Sequence, residues 1–419
     1  MERTTMEEEN LIRLLKKLIG IPSSVNDGPE IYDFSAEYLE KKGLEVTTQT
    51  LKNPYIQYND FNNIYARIGN GKGPKIMLNC HLDTVGKGEG WFFDPYDAEE
   101  KEGKIFGLGA ADMKAGCAVA MMAMVHMGRK FRDLNGELFF SGVFGEEAPY
   151  SLGTDTLLKE HDLDDFDLII VTEPSPVVAI NDYCITHRRL HKAKYPVVIT
   201  GAEGRVLFEI DVHGKSSHAS HPSMGINALH AASQIITELT RFDIYSSIKM
   251  GRGHYCVINM EGGSQNFTVP SFCRIHVNRQ LTMGETEEMV TREIDSIIRS
   301  LNLKSKVVVR KRYSPGTEIE YRPYISEGGK YLDAFIDHIP IRPYGKGKER
   351  KKKCIFTTSS VGDFNLFGTR TKAPVAIFGP GGANIHSPNE FVYRDQTIRT
   401  FELIVRFLER VYGEGVDGK

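Results

Sequence analysis

Short apolar segments alternate with helical patterns in the first and last parts of this chain, and this alternation restricts the folds open to it. Continuous apolar runs typical of strands lie at 75–80 (KIMLNC), 137–144 (ELFFSGVF), 167–172 (DLIIVT) and 373–378 (APVAIF). Helical spacing of leucines predicts an opening helix over 7–19, and residues 113–130 predict a buried helix. Because strands that are apolar throughout are covered on both faces, the sequence predicts an α/β sheet between layers of helices.

The middle of the chain has a different pattern. Residues 205–213 (RVLFEIDVH) alternate between apolar and polar side chains, which predicts a half-buried strand. The elements predicted after it are a helix, two strands, a helix and a strand, at 226–239, 255–260, 272–281, 287–301 and 306–310. This β-α-β-β-α-β order is that of a ferredoxin-like unit. We therefore expect a smaller α+β domain at 204–312, inserted into an α/β domain made of 1–203 and 313–419.

Charge and composition argue against several classes of partner. The 52 basic and 55 acidic residues give a formal net charge of -3, which favours neither nucleic acid nor an anionic membrane as partner. The N-terminal residues lack a signal-peptide pattern, and no apolar run reaches the roughly 18 residues of a membrane span. The six cysteines include no C-x-x-C pair, so we expect neither a disulfide framework nor a thiolate zinc site. These features favour a cytoplasmic protein, and the basic run 346–353 (KGKERKKK) is typical of a solvated loop.

Five imidazole and carboxylate side chains lie just beyond predicted strands or in the loop that opens the buried helix. They are His81, Asp112, Glu147, Glu173 and His386. In open α/β sheets, ligand sites form where loops converge at the carboxyl ends of the strands. Two imidazoles and three carboxylates form a donor set suited to zinc, cobalt or manganese. Singly, each has a plainer explanation, such as a helix N-cap for Asp112, but five at matching positions favour a metal site.

Two further acidic residues lie beside these five. Asp83 forms an H-x-D pair with His81, and a carboxylate in that place can fix the tautomer of an imidazole ligand. Glu146 directly precedes Glu147, and two adjacent carboxylates after an apolar strand are costly unless a cation compensates them. One of the two can bind metal while the other accepts a proton from water. Taken alone, each motif favours a plainer interpretation: a surface His–Asp pair at the end of a core strand for H-x-D, and a solvated loop entrance for the two glutamates.

Five motifs in this order resemble the M20 metallopeptidase family: CHLDTV, GAADMKAG, GEEAPYSLGTD, VTEP and HSPNEFV. That family includes acetylornithine deacetylase, succinyl-diaminopimelate desuccinylase, aminoacylase-1 and glutamate carboxypeptidase. The resemblance covers nearly the whole chain, including the inserted domain. It implies a metallopeptidase-type α/β catalytic domain with an inserted ferredoxin-like α+β dimerisation domain, and hence a homodimer.

The resemblance also implies two zinc ions, for which cobalt or manganese could substitute. His81 and Glu173 would bind one ion, Glu147 and His386 would bind the other, and Asp112 would bridge them. A glutamate at the position of Glu173 resembles the deacylase and carboxypeptidase branch of the family, whereas aminopeptidases tend to have aspartate there.

Five other residues take roles from the same resemblance. Glu146 would be the general base, and Asp83 would support the neighbouring imidazole ligand. In HGKSSHASHPSMG, His218 would reach the site of a partner subunit and stabilise the oxyanion. Asn266 and Arg279 match positions that hold the substrate carboxylate, for which an arginine fork is well suited.

These inferences predict a zinc-dependent hydrolase that cleaves the amide bond of an N-acylated amino acid through metal-bound hydroxide. A carboxypeptidase or dipeptidase on the same two-zinc site is the alternative, and a non-catalytic metal-binding protein is a remote one. The expected partners are a small N-acyl amino acid or short peptide and a second copy of the chain. The sequence contains no G-x-S-x-G, H-E-x-x-H or Walker-type motif that would favour another class of enzyme.

Overall fold

The computed structural model of the chain describes residues 2–52, 60–131, 133–148, 150–178, 195–241, 246–247, 250–263, 266–313, 318–340 and 356–416. The predicted loop at 346–353 and the cysteines Cys184 and Cys354 lie outside these residues. The four cysteines in the described residues, Cys80, Cys117, Cys256 and Cys273, are free thiols. Among the helices of this part of the chain, none combines the length and apolar character needed to cross a membrane.

The chain forms two compact units. The first consists of Met1–Ala202, Pro315–Ile319 and Ile325–Lys419, and the second of Glu203–Ser314 and Glu320–Tyr324. The assignment of catalytic and dimerisation roles to the segments 1–203, 204–312 and 313–419 stays a prediction.

The α-helices of the described residues are α1 (Glu2–Ile19), α2 (Glu30–Lys41), α3 (Ala115–Lys130), α4 (Leu152–Glu160), α5 (Ser175–Val178), α6 (Ala228–Arg241), α7 (Glu287–Ser300), α8 (Lys330–His338), α9 (Asp363–Arg370) and α10 (Arg394–Glu409). The strands are β1 (Val46–Lys52), β2 (Asp60–Ile68), β3 (Lys75–His81), β4 (Glu100–Lys101), β5 (Lys104–Phe106), β6 (Glu137–Val143), β7 (Leu168–Val171), β8 (Ile199–Ala202), β9 (Gly204–His213), β10 (Ser246–Ser247), β11 (Gly251–Arg252), β12 (His254–Gly262), β13 (Phe272–Leu281), β14 (Lys306–Arg312), β15 (Tyr324–Ile325), β16 (Phe356–Thr358), β17 (Val375–Ile377), β18 (Gly382–Ala383) and β19 (Phe391–Tyr393). Single turns of other helix types lie at Ala110–Lys114, Pro222–Met224 and Arg410–Glu414.

The first unit is built around a mixed nine-stranded sheet in the order β1-β2-β6-β3-β7-β17-β8-β15, with β16 paired to β8. At its centre, β3 runs parallel to β6 and β7, and β7 runs parallel to β17. The four predicted apolar strands are therefore confirmed as neighbours in the sheet. Because they are parallel, their carboxyl ends meet at one edge of the sheet.

Helix α3 is the central helix of the first unit. Its side chains from Ala115 to Val125 are buried, which is typical of a helix enclosed on all sides. It packs against α1, α10 and β3. The helix predicted from residue 113 begins instead at Ala115, because residues 110–114 form a π-helical turn in which Asp112 and Met113 have non-helical backbone angles. Asp112 therefore lies before α3 and is not its N-cap, a position held by Lys114.

A small second sheet in the first unit has the order β18-β19-β5-β4. In this sheet Phe391 pairs with Phe106 in antiparallel strands. The segment that follows Phe106 and the segment that precedes Phe391 therefore leave the sheet side by side. This pairing brings the loop that contains Asp112 next to the loop that contains His386.

The second unit has an antiparallel sheet in the order β12-β13-β9-β14, whose elements follow one another as β9-α6-β12-β13-α7-β14. The predicted ferredoxin-like order is thus confirmed. Inward residues of the strands, such as Phe208, Ile210 and Ile275, form a core with Ile235 of α6 and Ile294 of α7. Alternation along β9 is what the half-buried pattern predicted.

Candidate metal centre

The central parallel strands position four of the predicted site residues. His81 is the last residue of β3, Glu146 and Glu147 follow the end of β6, and Glu173 follows the end of β7. Parallel pairing of β3 with both neighbours places these carboxyl ends at the same edge of the sheet. The loops that follow these strands therefore start close together, which is where ligand sites form in other open α/β sheets.

Two loops complete the cluster. Asp112 lies in the π-helical turn before α3, and His386 lies in the turn between β18 and β19. His386 has a φ of 57°, and Asn384 and Asn389 in the same loop have φ values of 60° and 61°. Left-handed backbone is uncommon for residues other than glycine, so the three together define a tightly folded loop that presents the His386 side chain.

All five predicted ligands lie together. Asp112 stands between the two imidazoles, with Oδ1 3.2 Å from Nε2 of His81 and Oδ2 3.4 Å from Nε2 of His386. Oε1 of Glu173 is 3.4 Å from Nε2 of His81, and Oε1 of Glu147 is 2.7 Å from Nε2 of His386. The Nε2 atom of each imidazole therefore faces one oxygen of Asp112 and one other carboxylate.

The electrostatics of this cluster favour a cation. Burial and the neighbouring Asp112 carboxylate raise the pKa of Glu173 to about 8. Burial lowers the pKa of His81, but the hydrogen bonds with Asp112 and Glu173 reverse this effect and leave it well above its usual value. Hydrogen bonds with Asp112 and Glu147 raise the pKa of His386 to about 11. Crowded carboxylates of this kind need positive charge beside them.

The donor set fits divalent metal ions. Ligand atoms of His81, Asp112 and Glu147 lie within 4.8 Å of one another. Imidazole nitrogens and carboxylate oxygens are the ligands that zinc, cobalt and manganese accept in proteins. His81 and Glu173 are buried, whereas half of the His386 side chain is exposed, so the cluster is open to solvent on one side.

Asp83 connects His81 to the loop that contains Glu146. Its carboxylate accepts hydrogen bonds from the backbone N–H groups of Gly145 (2.9 Å), Glu146 (3.2 Å) and Glu147 (3.0 Å). Nδ1 of His81 lies 3.0 Å from the Asp83 carbonyl oxygen but 3.7 Å from its carboxylate. The predicted link between these two residues therefore runs through the main chain, and the carboxylate orients the loop instead.

Glu146 lies beside this cluster and against the start of α9. Burial raises its pKa well above the usual value; His81 opposes this shift, while the carboxylates of Glu147, Glu173 and Asp363 add to it. A Cβ atom on Gly362 would be 2.4 Å from Oε1 of Glu146, so the absence of a side chain at 362 leaves room for this carboxylate. Neither Gly362 nor Asp363 was predicted, since the segment SSVGDF has no periodicity or ligand spacing that would single it out.

Glu390 is a further residue that the sequence reasoning missed. It is 1% exposed, and its carboxylate accepts hydrogen bonds from the backbone N–H groups of Gly109 (2.9 Å), Ala111 (2.8 Å) and Asp112 (2.9 Å). It thereby fixes the turn that contains Asp112 to the chain just after His386. An acidic residue four positions after a candidate ligand, within HSPNEFV, was the available signal.

The remaining predicted residues lie in the second unit. His218 is exposed, and its Nδ1 is 2.7 Å from Oγ of Ser220. A β-bridge joins His218 to Thr268, so the exposed Asn266 lies in the chain segment that pairs with it. The structure therefore brings His218 and Asn266 into neighbouring loops.

Arg279 has a different environment. It is fully buried and forms an ion pair with Glu285, and its guanidinium lies 4.9 Å from the centre of the Tyr255 ring. The side chain also donates to the carbonyl oxygen of Gln280. Binding of a substrate carboxylate by Arg279 would therefore require this internal ion pair to open.

Comparison with known proteins shows which family the chain resembles. The model of peptidase family M20/M25/M40 matches residues 77–410. Similar solved structures include a tripeptidase from Staphylococcus aureus, with a TM-score of 0.70, 19% identity, and coverage of 98% of this chain and 99% of that chain. Human carnosine dipeptidase 1 has a TM-score of 0.71 and 16% identity, over 100% of this chain and 98% of that chain. A Bacillus subtilis protein described as a dinuclear metal binding peptidase has a TM-score of 0.68 and 15% identity, with coverage of 98% of this chain and 99% of that chain.

Proposed function

Because this chain belongs to peptidase family M20/M25/M40, we propose that it is a two-zinc hydrolase that cleaves the amide bond of an N-acylated amino acid. The observation that carries the proposal is the position of Asp112, whose two carboxylate oxygens each face a different imidazole. A carboxylate so placed can serve two metal ions at once. His81 and Glu173 would hold one ion, and Glu147 and His386 would hold the other.

Zinc ions held by these residues would supply Lewis-acid polarisation of the substrate carbonyl and a lowered pKa for the attacking water. Cobalt or manganese could supply the same chemistry, since both accept the same nitrogen and oxygen ligands. Asp83 contributes by holding the backbone of residues 145–147, and so helps to position the side chains of Glu146 and Glu147.

Glu146 is the proposed general base. Its carboxylate, which is not assigned to either metal, accepts a proton from the attacking water and later donates it to the leaving amine. Burial raises the pKa of Glu146, which makes its carboxylate a stronger proton acceptor, and the proton then passes to the leaving amine because the amine is the stronger base.

The second unit supplies the other proposed roles. His218 would stabilise the oxyanion in the site of a partner subunit, since an exposed imidazole on a loop can reach beyond its own chain. Asn266 would bind the substrate carboxylate, with Arg279 joining it once released from Glu285.

The substrate class rests on Glu173. A glutamate here resembles the deacylase and carboxypeptidase branch of the family, which favours N-acetyl or N-succinyl amino acids. Short peptides are the second candidate, because the similar folds described above include a tripeptidase and a carnosine dipeptidase. Both reactions release a free amine from an amide and would use the same residues.

Replacement of the base tests the mechanism. We expect Glu146→Gln to lower kcat by about 10²–10⁴-fold while the bound metal per chain stays unchanged. Glu160→Gln, on an exposed face of α4, serves as the matched control and should keep wild-type turnover. Near-normal turnover by Glu146→Gln with both metals bound would contradict the assignment.

A substrate panel separates the two candidate reactions. N-acetyl and N-succinyl amino acids are compared with dipeptides of the same C-terminal residue, at equal concentration and with equal metal loading. Higher kcat/KM for the N-acyl compounds supports the deacylase, and activity on dipeptides alone would establish a peptidase instead.

A further inference from the structure

A second cavity lies between α1, α2 and α3, outside the metal centre. Its volume is about 220 Å³, and its wall on α3 includes Met122, Val125 and Arg129. Val125 is ten residues beyond Ala115, the start of α3, which at the helical rise corresponds to about 15 Å along the axis. An occupant of this cavity therefore would not reach Asp112, which precedes α3 at its other end.

The cavity is surrounded by positive charge. Its basic lining residues are Arg13, Lys17, Lys42 and Arg129. None of these four side chains forms an ion pair with a carboxylate in the described parts of the chain. By contrast, their sequence neighbours Lys16, Lys41 and Lys130 pair with Glu100, Glu37 and Glu409 respectively. All four side chains are exposed, and together they give the mouth of the cavity a positive potential that an anion bound there would meet.

One wall of the cavity is aromatic. The rings of Phe34 and Tyr38 lie with their centres 6.2 Å apart, and the Tyr38 hydroxyl donates a hydrogen bond to Sδ of Met122 at 3.1 Å. Nζ of Lys42 lies 5.4 Å from the centre of the Tyr38 ring. Arg129 lines the same cavity as Tyr38, and its guanidinium partly offsets the rise in the Tyr38 pKa that burial causes. A flat apolar group can pack on this wall while its charged end meets the cations.

We propose that this cavity is a binding site for a small dianion with a flat apolar body, of the class of monocyclic phosphate monoesters. A phosphate monoester carries close to two negative charges at neutral pH, and arginine side chains bind its oxygens in a bidentate manner. The volume is below the roughly 300–1,000 Å³ of drug-sized ligand pockets, which suits one ring and one phosphate group. This site is independent of the proposed amide hydrolysis.

Calorimetric titration of the metal-loaded protein with phenyl phosphate tests the site. We expect one molecule to bind per chain in this cavity, and the double variant Arg13→Gln with Arg129→Gln to bind about tenfold more weakly or worse. The control carries the same charge change on two exposed lysines away from the cavity, Lys72→Gln with Lys101→Gln, and should bind like the wild type. Should the first variant fail to fold, Lys17→Gln with Lys42→Gln tests the same cavity.

Unchanged affinity in the cavity variant would overturn the proposal, since phenyl phosphate would then be binding elsewhere, for example at the metal centre. An equal loss in the control variant would also overturn it, because only net charge would then matter. Phenol and inorganic phosphate test the two parts of the site: each should bind at least about tenfold more weakly than phenyl phosphate. Equal affinity of phenol would contradict the role of the cations, and equal affinity of inorganic phosphate would contradict the role of the aromatic wall.

Discussion

At the scale of single residues, the candidate site depends on where each carboxylate is held. Asp112 faces both imidazoles, Asp83 binds three consecutive backbone N–H groups, and Glu146 lies against the backbone of Gly362. In the proposed mechanism, these contacts separate the carboxylates that would bind metal from Glu146, which would accept a proton, and from Asp83, which orients the loop. Side chains of the same chemical type thus take different roles because each carboxylate has different neighbours.

The space at Gly362 gives a prediction about Glu146. In Gly362→Ala the new Cβ would stand 2.4 Å from Oε1 of Glu146, and the flexible carboxylate would move away. Because Gly362 has extended backbone with φ of -175°, alanine adds no backbone strain there. The same Cβ would lie 3.0 Å from Cε1 of the buried Phe364, so a modest loss of thermal stability should accompany the substitution. We expect kcat of the folded variant to fall by about tenfold to a hundredfold while its metal content changes little.

Gly20→Ala is the matched control for this substitution. A Cβ atom at position 20 meets its nearest neighbours at 3.5 Å, an ordinary contact, so its kinetics should equal those of the wild type. If Gly362→Ala turned over substrate at the wild-type rate, the position assigned to the general base would be wrong.

At the scale of secondary-structure elements, the site depends on two loops held together by Glu390. Its Oε1 accepts from Ala111 and Asp112, and its Oε2 accepts from Gly109. In Glu390→Gln, one of these oxygens becomes an amide that faces an N–H group instead of accepting from it. We expect about 10–100-fold weaker metal affinity, measured by competition with a chelator, with an unchanged fold by circular dichroism.

Glu45→Gln provides the control, because Glu45 is exposed and precedes β1. Its metal affinity should match the wild type. Wild-type metal affinity in Glu390→Gln would show that the turn at 109–112 keeps its position without this carboxylate.

Helices α4 and α9 are joined by Asp155, whose carboxylate lies 2.5 Å from Nη1 of Arg370 and 2.6 Å from Nζ of Lys159. Partial burial raises the pKa of Asp155, but the two cations lower it by more than burial raises it. The pKa of Asp155 therefore lies below its usual value. A lowered folded-state pKa means that the stabilisation is present above the unfolded value of about 3.9 and disappears as the pH falls through the folded value.

Asp155→Asn should therefore lower the free energy of unfolding by about 1 kcal/mol at pH 7, after allowance for solvent screening. The difference from the wild type should shrink as the pH falls below about 4. Urea unfolding at several pH values measures it, with the exposed Asp133→Asn as control. A pH-independent difference would mean that the charge of Asp155 is not the cause.

The sequence predicted the elements with a strong period and missed the others. The predicted elements are helices α1, α3, α6 and α7 and strands β3, β6, β7, β9, β12, β13, β14 and β17, which follow from apolar runs or alternation. Helix α9 and the β18–β19 turn do not, since tertiary contacts such as the pairing of Phe391 with Phe106 create them. His81, Glu147 and Glu173 were predictable because they follow strands, and Asp112 and His386 because they lie in the GAADMKAG and HSPNEFV motifs. Gly362 and Glu390 were not, because a missing side chain and hydrogen bonds to backbone N–H groups leave no spacing pattern in the sequence.

At the scale of the whole molecule, the proposed trans role of His218 makes activity depend on a homodimer. Glu146→Ala and His218→Ala should each have little activity alone. In a mixed dimer, one site would combine an intact Glu146 with the intact His218 of the other chain. After subunit exchange in an equal mixture, about half of the dimers are mixed with one competent site each, so about a quarter of wild-type activity should return.

No recovery after demonstrated subunit exchange would contradict the trans arrangement. Full activity of a protein that sediments as a monomer would contradict it as well. The matched control mixes wild-type protein with Glu146→Ala, for which the activity should be the average of the two.

The central claim is that one cluster of imidazoles and carboxylates binds two metal ions and that these ions are required for amide hydrolysis. The most direct measurement determines bound metal per chain together with release of free amine from N-acyl amino acids and dipeptides, before and after chelation. We expect about two zinc or cobalt ions per chain, loss of activity on chelation, and recovery when metal is restored. A chain that binds no metal, or that hydrolyses these amides equally well after the metal is removed, would contradict the account.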